Sequence, residues 1–492
     1  MAKENNDLGI TVKKSENFSE WFTQVVQKAE LADIRFGIQG FIVHRPWAFF
    51  IIKKIYEYLE KEVEEQGHEA YLFPIAVKES DLNKEAEHAE FTPEVFWISE
   101  AGSKKLEERF ALRPTGEAQI YPMYSLWFRS HKELPFKGYQ SRITVFRNEM
   151  TTRPFLRGRE FMFFESHDVF NTHEEALKQI NDDFKTCDKV IKDKIKIPFL
   201  YFRRPQWDKF KGADDTFTPD TLMPDGKRNQ LASTHDLGQN FAKAFNIKVK
   251  GEDGKDHYVW QTCFGPGIWR IMAALIGIHG DDKGIIIPFD MAPLQVVIVP
   301  IIFKKKDSKK VLNVCQKLET NLKKKGFRVK FDNSDESPGF KYNKWELKGV
   351  PLRIEVGPKE VDKKSVSIAL RTTKDKKQVL IKDLIKEIED SANKLNSEIK
   401  KRADTYFKNS TRDASSFNEL KKLIKEYRGF IKIPFCSVGK DGEKCADKLK
   451  AETEGGNVCG TLYPKEEKVK DESKCVICGK KAKHIVYVAK SY

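Results

Sequence analysis

Along the chain, apolar residues recur at helical spacing in some segments and form short continuous runs in others. Residues 47–66 carry apolar side chains at intervals of three or four positions: Ala48, Ile52, Ile55, Leu59 and Val63. This spacing predicts a helix that ends at Gly67, and the segment 69–74 after it is typical of a strand. The pattern therefore predicts a helix, a turn and a strand in that order.

The next strong pattern is a pair of apolar runs, residues 138–146 and 160–170, separated by a polar and arginine-rich connector. Two such runs around a polar connector predict a long antiparallel hairpin with a functional loop. Residues 172–195 are rich in Glu and Lys and place apolar side chains at helical spacing: Ala176, Ile180, Phe184 and Ile191. This segment predicts an amphipathic surface helix.

In the second half of the chain, the β-branched run 292–300 predicts a buried strand. A predicted helix and further strands follow it, at residues 308–325, 327–331, 351–356 and 365–370. This alternation predicts a small α/β domain that begins near residue 291. A lysine-rich helical stretch, 381–402, leads out of it, and the chain ends in the apolar strand 484–489.

Length and charge change this picture in two ways. A chain of 492 residues is expected to form several domains. Lys and Arg number 88 against 73 for Asp and Glu, a net charge of +15, which favours a polyanionic partner because Lys and Arg release phosphate counterions on binding. A merely solvated basic surface is the alternative.

Cysteine usage and the absence of long apolar segments bear on the compartment. Residues 1–7 have no apolar core of a signal peptide, and the most apolar stretch, 285–303, is interrupted by Asp290 and three prolines. We therefore expect no signal peptide and no membrane span. Five of the eight cysteines lie beyond residue 435, which suits a metal site in a reducing compartment better than disulfides. The predicted location is the cytoplasm.

Two segments carry residues suited to binding phosphate. After Phe146, the connector places Arg147, Arg153, Arg157 and Arg159 in one loop, and because planar guanidinium groups match phosphate oxygens two at a time, it predicts a polyphosphate clamp. In the segment 264–270, paired glycines let the backbone approach a nucleotide, and Arg270 can meet a phosphate. Taken singly, the alternatives are a solvated basic loop and an ordinary Gly-Pro-Gly turn.

The order of three segments resembles motifs 1, 2 and 3 of class II aminoacyl-tRNA synthetases. They are the Gly-(x)6-Pro element ending at Pro74, the Phe-Arg-x-Glu hairpin at 146–149, and the segment ending at Arg270. From about residue 21 to residue 492 the chain more closely resembles prolyl-tRNA synthetases of the archaeal and eukaryotic type. The segments that carry this resemblance are 112–117, 152–161, 207–210, 233–241, 279–284 and 345–353.

The resemblance implies activation of proline with ATP to prolyl-AMP, with Mg²⁺ accompanying ATP, and transfer to the 3′ end of tRNA(Pro). It places Arg147 on the α-phosphate and the proline carboxylate, and Arg270 on the γ-phosphate. The implied proline pocket contains Thr115, Glu117, Arg147, Glu165, His167, Phe210 and His235. The implied ATP site contains Arg147, Glu149, Arg157, Gln230, Ser233 and Arg270, with His235 also on its transfer side. No catalytic base is needed, because the proline carboxylate is itself the nucleophile.

Departures from the family leave alternatives open. Phe163 and Phe164 replace a Trp-Gln pair of many members, and Phe170 replaces a histidine. The alternatives are a catalytically inactive, synthetase-like RNA-binding protein, and a threonyl or histidyl synthetase. The Thr-x-Glu loop at Thr115 and the retained motif arginines argue against them. For His167 and His235 alone, a hydrogen-bonded core histidine is the alternative.

The carboxy-terminal half supplies two further candidate sites. Four thiolates in a tetrahedron suit a structural Zn²⁺, and the candidate ligands are Cys436, Cys445, Cys475 and Cys478. Free thiols are the alternative, while Cys459 and His484 are expected to lie outside the metal site. Glu346 and Arg353 resemble an anticodon-reading pair, because a carboxylate can accept from a guanine edge and a guanidinium can donate to it. The alternative is an internal ion pair.

The expected fold is α/β throughout. A class II catalytic domain with an antiparallel sheet and flanking helices is expected over 1–290, a mixed α/β anticodon-binding domain over 291–395, and a zinc-binding α/β domain over 396–492. Motif 1 implies a homodimer. The short interval between Glu165 and Gln230 leaves no room for a cis-editing insertion. The tail ending at Tyr492 is expected to return to the catalytic domain, the alternative being a strand edge within the zinc domain.

Overall fold

The computed structural model describes residues 9–89, 94–302, 305–373 and 375–492. The residues 1–7, on which the absence of a signal peptide was predicted, lie outside these ranges. Within the described ranges, no helix has both the length and the apolar character needed to cross a membrane.

As far as residue 291, the chain forms the following helices and strands. The helices are α1 (Phe18–Lys28), α2 (Pro46–Glu65), α3 (Glu79–Ala89), α4 (Glu117–Trp127), α5 (His173–Cys187), α6 (Asn240–Ala244) and α7 (Ile268–Ala274). The strands are β1 (Ala32–Asp33), β2 (Val43–His44), β3 (Glu69–Ala70), β4 (Ala76–Lys78), β5 (Trp97–Ala101), β6 (Lys104–Leu112), β7 (Phe136–Phe146), β8 (Glu160–Phe170), β9 (Leu200–Arg203), β10 (Asp215–Leu222), β11 (Arg228–Gln230), β12 (Ala232–Gly238), β13 (Lys248–Lys250), β14 (Asp256–Tyr258) and β15 (Trp260–Pro266).

The second half contains a separate sheet and a further group of elements. The first set is β16 (Val296–Pro300), α8 (Lys305–Lys324), β17 (Val329–Phe331), α9 (Pro338–Leu347), β18 (Leu352–Val356), α10 (Pro358–Asp362), β19 (Ser365–Leu370) and β20 (Lys376–Leu380). The second set is α11 (Leu384–Asn409), β21 (Thr411–Asp413), α12 (Phe417–Glu426), β22 (Phe430–Phe435), α13 (Glu443–Glu452), β23 (Gly456–Leu462) and β24 (His484–Lys490).

A long sheet forms the scaffold of the molecule. Its order is β21-β22-β24-β23-β9-β10-β12-β15-β8-β7-β3, and its pairs are antiparallel except at the two edges, where β3 pairs parallel to β7 and β21 parallel to β22. The carboxy-terminal strands therefore continue the catalytic sheet through the pairing of β23 with β9. A second sheet, in the order β17-β16-β18-β19-β20, mixes parallel and antiparallel pairs.

The α/β fold and the β7–β8 hairpin predicted from the sequence are confirmed. Two predicted strands are shorter than expected. The segment 69–74 forms only β3, because pairing with β7 ends after Tyr71 donates to Tyr139 O at 2.7 Å, and Pro74 has no N–H to donate. The run 292–300 begins pairing at Val296, beyond Pro293. The helix α11 crosses residue 395, and the domain boundaries stay predictions.

Side chains from the two faces of the long sheet have different roles. On one face, α1, α2 and α7 pack with the strands around a buried apolar core that includes Trp21, Ile55, Phe164 and Phe264. Because side chains alternate along a strand, Glu165 and His167 of β8 project to the opposite face. That opposite face carries the candidate site.

Candidate active site

A cavity of about 260 Å³ lies between the β7–β8 hairpin, β11, β12, β15 and the start of α7. All residues predicted for the ATP site line it: Arg147, Glu149, Arg157, Gln230, Ser233 and Arg270. Thr115 of the predicted proline pocket also lines it. The structure therefore brings together side chains from four separate segments of the sequence.

Three guanidinium groups give this cavity its positive charge. Burial and the like charges of Arg147, Arg157 and Arg228 lower the pKa of Arg270 to about 10, so it stays protonated at neutral pH. Arg157 lies 3.4 Å from the Glu149 carboxylate. Three guanidinium groups crowded around the single cavity-lining carboxylate of Glu149 are suited to a polyphosphate, whose charge relieves their repulsion.

The other two arginines of the loop do not face the cavity, so the predicted clamp is wrong for them. Arg153 Nη2 donates to Ser19 O at 3.0 Å, and its guanidinium lies over the rings of Phe18, Phe22 and Tyr492. Arg159 Nε donates to Glu149 O at 3.0 Å. The backbones of Arg153 and Arg157 are hydrogen-bonded to each other across a tight turn, and the contacts with Ser19, Phe18 and Phe22 hold the Arg153 side chain against α1 rather than in the cavity.

Three of the residues predicted to bind the substrate proline form a buried polar group beside the cavity. Glu117, Glu165 and His167 are each at most 1 % exposed, and Glu165 Oε2 lies 3.3 Å from His167 Nε2. Burial lowers the pKa of His167, but the hydrogen bond and charge of Glu165, together with the charge of Glu117, outweigh it and raise the pKa overall. The two buried carboxylates beside His167 supply negative charge that suits a cation such as a secondary ammonium group.

His235 differs from His167 although both are buried. Its Nδ1 lies 2.9 Å from Thr216 Oγ1 and its Nε2 lies 3.0 Å from Ser233 Oγ. Burial, followed by the positive charges of His167 and Arg204, lowers the pKa of His235 to about 3. The His235 ring is therefore neutral. Its centroid lies 4.7 Å from that of the Phe210 ring, and the two rings together offer an apolar wall.

Sequence reasoning missed several residues that hold these side chains in place. Tyr121 OH lies 3.0 Å from His167 Nδ1, and Gln140 Nε2 donates to Glu165 Oε1 at 2.7 Å. Cys263 Sγ lies 3.8 Å from Glu117 Oε1 and 4.0 Å from His167 Nε2. They come from α4, β7 and β15 and meet through sheet register, for which no spacing signal exists in the sequence.

Only one of the two substituted phenylalanines faces the cavity. Phe163 lines it, and a Cβ on Gly265 would stand 2.9 Å from the Phe163 ring. Phe164 projects to the opposite face, where it stacks on Tyr139 with ring centroids 5.3 Å apart. The departure at Phe164 therefore affects the core rather than the cavity wall.

The four predicted metal ligands converge. The Sγ atoms of Cys436, Cys445, Cys475 and Cys478 all lie within 4.8 Å of one another, and those of Cys436 and Cys445 are 3.6 Å apart. Sulfur atoms around a tetrahedral zinc at 2.3 Å stand about 3.8 Å apart, so the spacing fits. Cys459 lies outside this group, and His484 bonds Glu466 instead.

The predicted anticodon residues are paired with each other. Arg353 Nη1 lies 3.2 Å from Glu346 Oε1, and Lys283 Nζ lies 2.8 Å from Glu346 Oε2. The ion pair named as the alternative is thus present. Both side chains nevertheless line a second cavity of about 170 Å³, together with Trp345 and Arg371.

The chain end returns to the first cavity, as predicted. Arg157 Nη2 donates to Tyr492 O at 3.0 Å, and Tyr492 OH donates to Asp225 Oδ1 at 2.6 Å. The terminal residue therefore contacts an arginine that lines the candidate ATP site.

Known proteins match this chain over nearly its full length. Residues 96–279 match the tRNA synthetase class II core domain (G, H, P, S and T), residues 295–391 the anticodon binding domain, and residues 417–492 the prolyl-tRNA synthetase C-terminal domain. The proline–tRNA ligase of Thermofilum pendens is 51 % identical over 489 residues, covering 99 % of this chain and 100 % of the relative. That of Pyrococcus abyssi is 39 % identical, covering 97 % and 98 %.

Solved structures give the same match. Giardia lamblia prolyl-tRNA synthetase in complex with prolyl-adenylate has a TM-score of 0.91 at 34 % identity, covering 98 % of this chain and 100 % of that chain. Cryptosporidium parvum prolyl-tRNA synthetase complexed with L-proline and AMP has a TM-score of 0.91 at 31 % identity, covering 100 % and 99 %.

Proposed function

Because the chain belongs to the prolyl-tRNA synthetase family and joins proline to tRNA through prolyl-AMP, we propose the following roles for its residues. Arg147, Arg157 and Arg270 bind the phosphates of ATP, with Glu149, Gln230 and Ser233 completing the nucleotide site. Thr115, Glu117, Glu165, His167, Phe210 and His235 form the proline pocket. The observation that carries this assignment is the cluster of three guanidinium groups beside two buried carboxylates.

In the first step, a proline carboxylate oxygen attacks the α-phosphorus of ATP and the bond to pyrophosphate breaks. Arg147 orients the carboxylate and the α-phosphate, and Arg270 stabilises charge on the leaving pyrophosphate. Glu117 and Glu165 hold the ammonium group of proline, and the Phe210 ring contacts the pyrrolidine. In the second step, the terminal ribose hydroxyl of tRNA attacks the prolyl carbonyl, and AMP leaves.

We propose separate binding sites for Mg²⁺ and Zn²⁺. Mg²⁺ prefers carboxylate and phosphate oxygens, and Glu149 is a carboxylate that lines the cavity, so it fits an ion that arrives with ATP and offsets phosphate charge. Zn²⁺ fits the Cys436, Cys445, Cys475 and Cys478 thiols, where it is structural. We assign this metal to a domain over 396–492, anticodon binding through Glu346 and Arg353 to 291–395, and catalysis to 1–290.

We also propose a homodimer in the cytoplasm. Large apolar side chains are exposed at motif 1, including Leu72 at 82 % and Ile75 at 43 %, and a second copy would cover them. None of the eight cysteines, all of which lie in the described residues, forms a disulfide, which suits a reducing compartment. Between β8 and β11 the chain forms α5, β9 and β10 and the turns that join them. This supports the proposal that the chain carries no cis-editing insertion in this interval.

The test is proline-dependent exchange of pyrophosphate into ATP. Arg147→Ala and Arg270→Ala are each expected to lower exchange by about 10²- to 10³-fold, as loss of one preorganised donor does, without unfolding the protein. Arg142→Ala is the matched control, because Arg142 lies on the same hairpin but pairs with Glu60. Exchange at the control rate in either cavity variant would contradict the assignment.

A further inference from the structure

A buried arginine connects the nucleotide site with the carboxy-terminal strand β23. Arg204 directly follows β9, and its side chain is 2 % exposed. Its guanidinium makes contacts with three other residues. Nη2 lies 3.0 Å from Gln230 Oε1 and 2.9 Å from Asp220 Oδ2, and Nη1 lies 2.8 Å from Cys459 O.

The contact with Arg204 fixes which end of the Gln230 amide faces the cavity. A guanidinium group carries donors only, so the atom of Gln230 that meets it must be the amide oxygen. Gln230 lies on β11 and lines the cavity. The amide nitrogen is therefore the end that a ligand in the cavity meets, and Gln230 acts there as a hydrogen-bond donor.

The charge of Arg204 is held by a shared carboxylate. Asp220 is fully buried, and it also lies 3.4 Å from Arg228 Nη1. Burial and the charge of Arg228 lower the pKa of Arg204, while Asp220 opposes them, and a guanidinium remains ionised under such conditions. Removing this charge would leave Asp220 partly uncompensated, so a charge-preserving substitution is the informative one.

The position of the Cys459 carbonyl depends on a glycine. Gly460 has φ +131°, and a Cβ there would stand 2.1 Å from Arg203 O. Glycine thus allows β23 to lie against β9, with Thr461 opposite Arg203. The third contact of Arg204 is therefore with a strand of the carboxy-terminal region that this close approach holds in place.

We propose that Arg204 is a positioning residue for the nucleotide. It holds the Gln230 amide oxygen so that the amide nitrogen donates to ATP, and it anchors this orientation to β23 through Cys459 O. The proposal rests on the assignment of Gln230 to the nucleotide site made above. It connects the carboxy-terminal region to ATP binding through Arg204 and Gln230, by a route that is separate from the metal site.

A double-mutant cycle on the KM for ATP in pyrophosphate exchange tests this. Gln230→Ala and Arg204→Lys are each expected to raise that KM by about three- to tenfold, the effect of one lost hydrogen bond, with the KM for proline changed less than about twofold. Lysine keeps the charge beside Asp220 but lacks the planar fork. The double variant is expected to be no worse than the worse single variant. Arg203→Lys, whose pair with Asp215 is partly exposed, is the matched control.

If the fold increases in the KM for ATP multiply in the double variant, the proposal is overturned, because Arg204 then acts independently of Gln230. Gln230→Glu tests the orientation without altering Arg204: its carboxylate still meets Arg204 but has no donor, so the KM for ATP should rise as it does in Gln230→Ala. A normal KM in Gln230→Glu would also overturn the proposal. A normal KM in Gln230→Ala would instead refute the assignment of Gln230 to the nucleotide site, and the positioning role with it.

Discussion

Neighbouring residues of strand β8 serve different purposes because successive side chains point to opposite faces. Glu165 and His167 face the proposed proline pocket, while Asp168 lies toward α5 and bonds His68 at 3.2 Å. Opposite Asp168, Asp183 of α5 accepts from Thr234 at 2.6 Å and from Gln179 at 2.9 Å. Burial and then the charge of Asp168 raise the pKa of Asp183 to about 7, although those hydrogen bonds oppose the rise.

This pKa predicts a pH-dependent loss of stability that Asp183→Asn removes. The unfolded carboxyl has a pKa of about 3.9, so between about pH 4 and pH 7 the folded state binds the proton that the unfolded state has lost. Stability therefore falls as pH rises through this range, and the loss is complete above about pH 7. Asparagine resembles the protonated form, so the gain in Tm over wild type should be larger at pH 8 than at pH 5.

Thermal unfolding at the two pH values measures this gain. Asp182→Asn is the control, because the neighbouring Asp182 pairs with Lys185 on the surface and should give no pH-dependent gain. An equal effect of Asp183→Asn at pH 5 and pH 8 would show that Asp183 is ionised in the folded protein at both.

At the scale of single elements, the sequence predicts the helices and hairpins well because periodicity is a local property. It places α2 and the β7–β8 hairpin within a few residues. It does not separate Arg157, which lines the cavity, from Arg153, because that distinction depends on a turn and on contacts with Ser19 and Phe18, far away in the chain. Local spacing along the chain is enough to predict where a helix or a hairpin lies. Which way a loop side chain points depends on contacts between elements, and local spacing does not show these contacts.

The candidate active site shows the same difference between what local motifs predict and what contacts between elements determine. The residues that lie inside recognisable motifs, such as Arg147 and Arg270, were predicted and line the cavity. The side chains that orient them from other elements, such as Gln140 and Arg204, were not. Their roles depend on sheet register, and register follows from long-range pairing rather than from any neighbouring residue.

The four cysteines, which lie directly after β22, on α13 and in the segment before β24, predict that the folding of this region depends on a metal. Cys475→Ser or Cys478→Ser is expected to lower the zinc content from about one per chain and to lower the Tm of the carboxy-terminal region, because metal binding there contributes to its folding. Elemental analysis with thermal unfolding measures both. Cys459→Ser is the control, since this thiol is buried outside the group; zinc content unchanged in both ligand variants would remove the site.

At the scale of the whole molecule, we expect amino-acid activation and tRNA recognition to depend on different regions. Glu346→Ala or Arg353→Ala is expected to raise the KM for tRNA by about 5- to 150-fold, the worth of a good bidentate base contact, and to leave pyrophosphate exchange intact. The second cavity and the long sheet belong to separate groups of strands, which is the reason for the separation. Lys377→Ala, which breaks the surface pair with Glu387, is the control, and equal loss of both activities would indicate misfolding instead.

Tyr492 joins three parts of the molecule at the edge of the proposed ATP site. Tyr492 O accepts from Arg157, its hydroxyl donates to Asp225, and its ring lies beside Arg153, which contacts Ser19 of α1. Burial, then the charge and hydrogen bond of Asp225, raise the pKa of Tyr492, so its hydroxyl stays protonated and continues to donate. These contacts predict that the terminal residue braces Arg157 for ATP, whereas a strand edge that only completes the metal-binding region would need none of them.

Deleting Ser491 and Tyr492 separates the two possibilities. Bracing requires adenylate formation to fall by about tenfold or more, the effect of losing a hydrogen bond to a charged group, with zinc content and Tm nearly unchanged. Tyr492→Phe removes only the bond to Asp225 and keeps the contact between Tyr492 O and Arg157, so its loss of activity should be smaller. Normal activation by the truncated chain would reject bracing, and loss of zinc together with a lower Tm would assign the tail to the metal-binding region. Since Arg157 would keep its ion pair with Glu149 at 3.4 Å but lose its hydrogen bond to Tyr492 O, the truncated enzyme should lose affinity for ATP more than for proline.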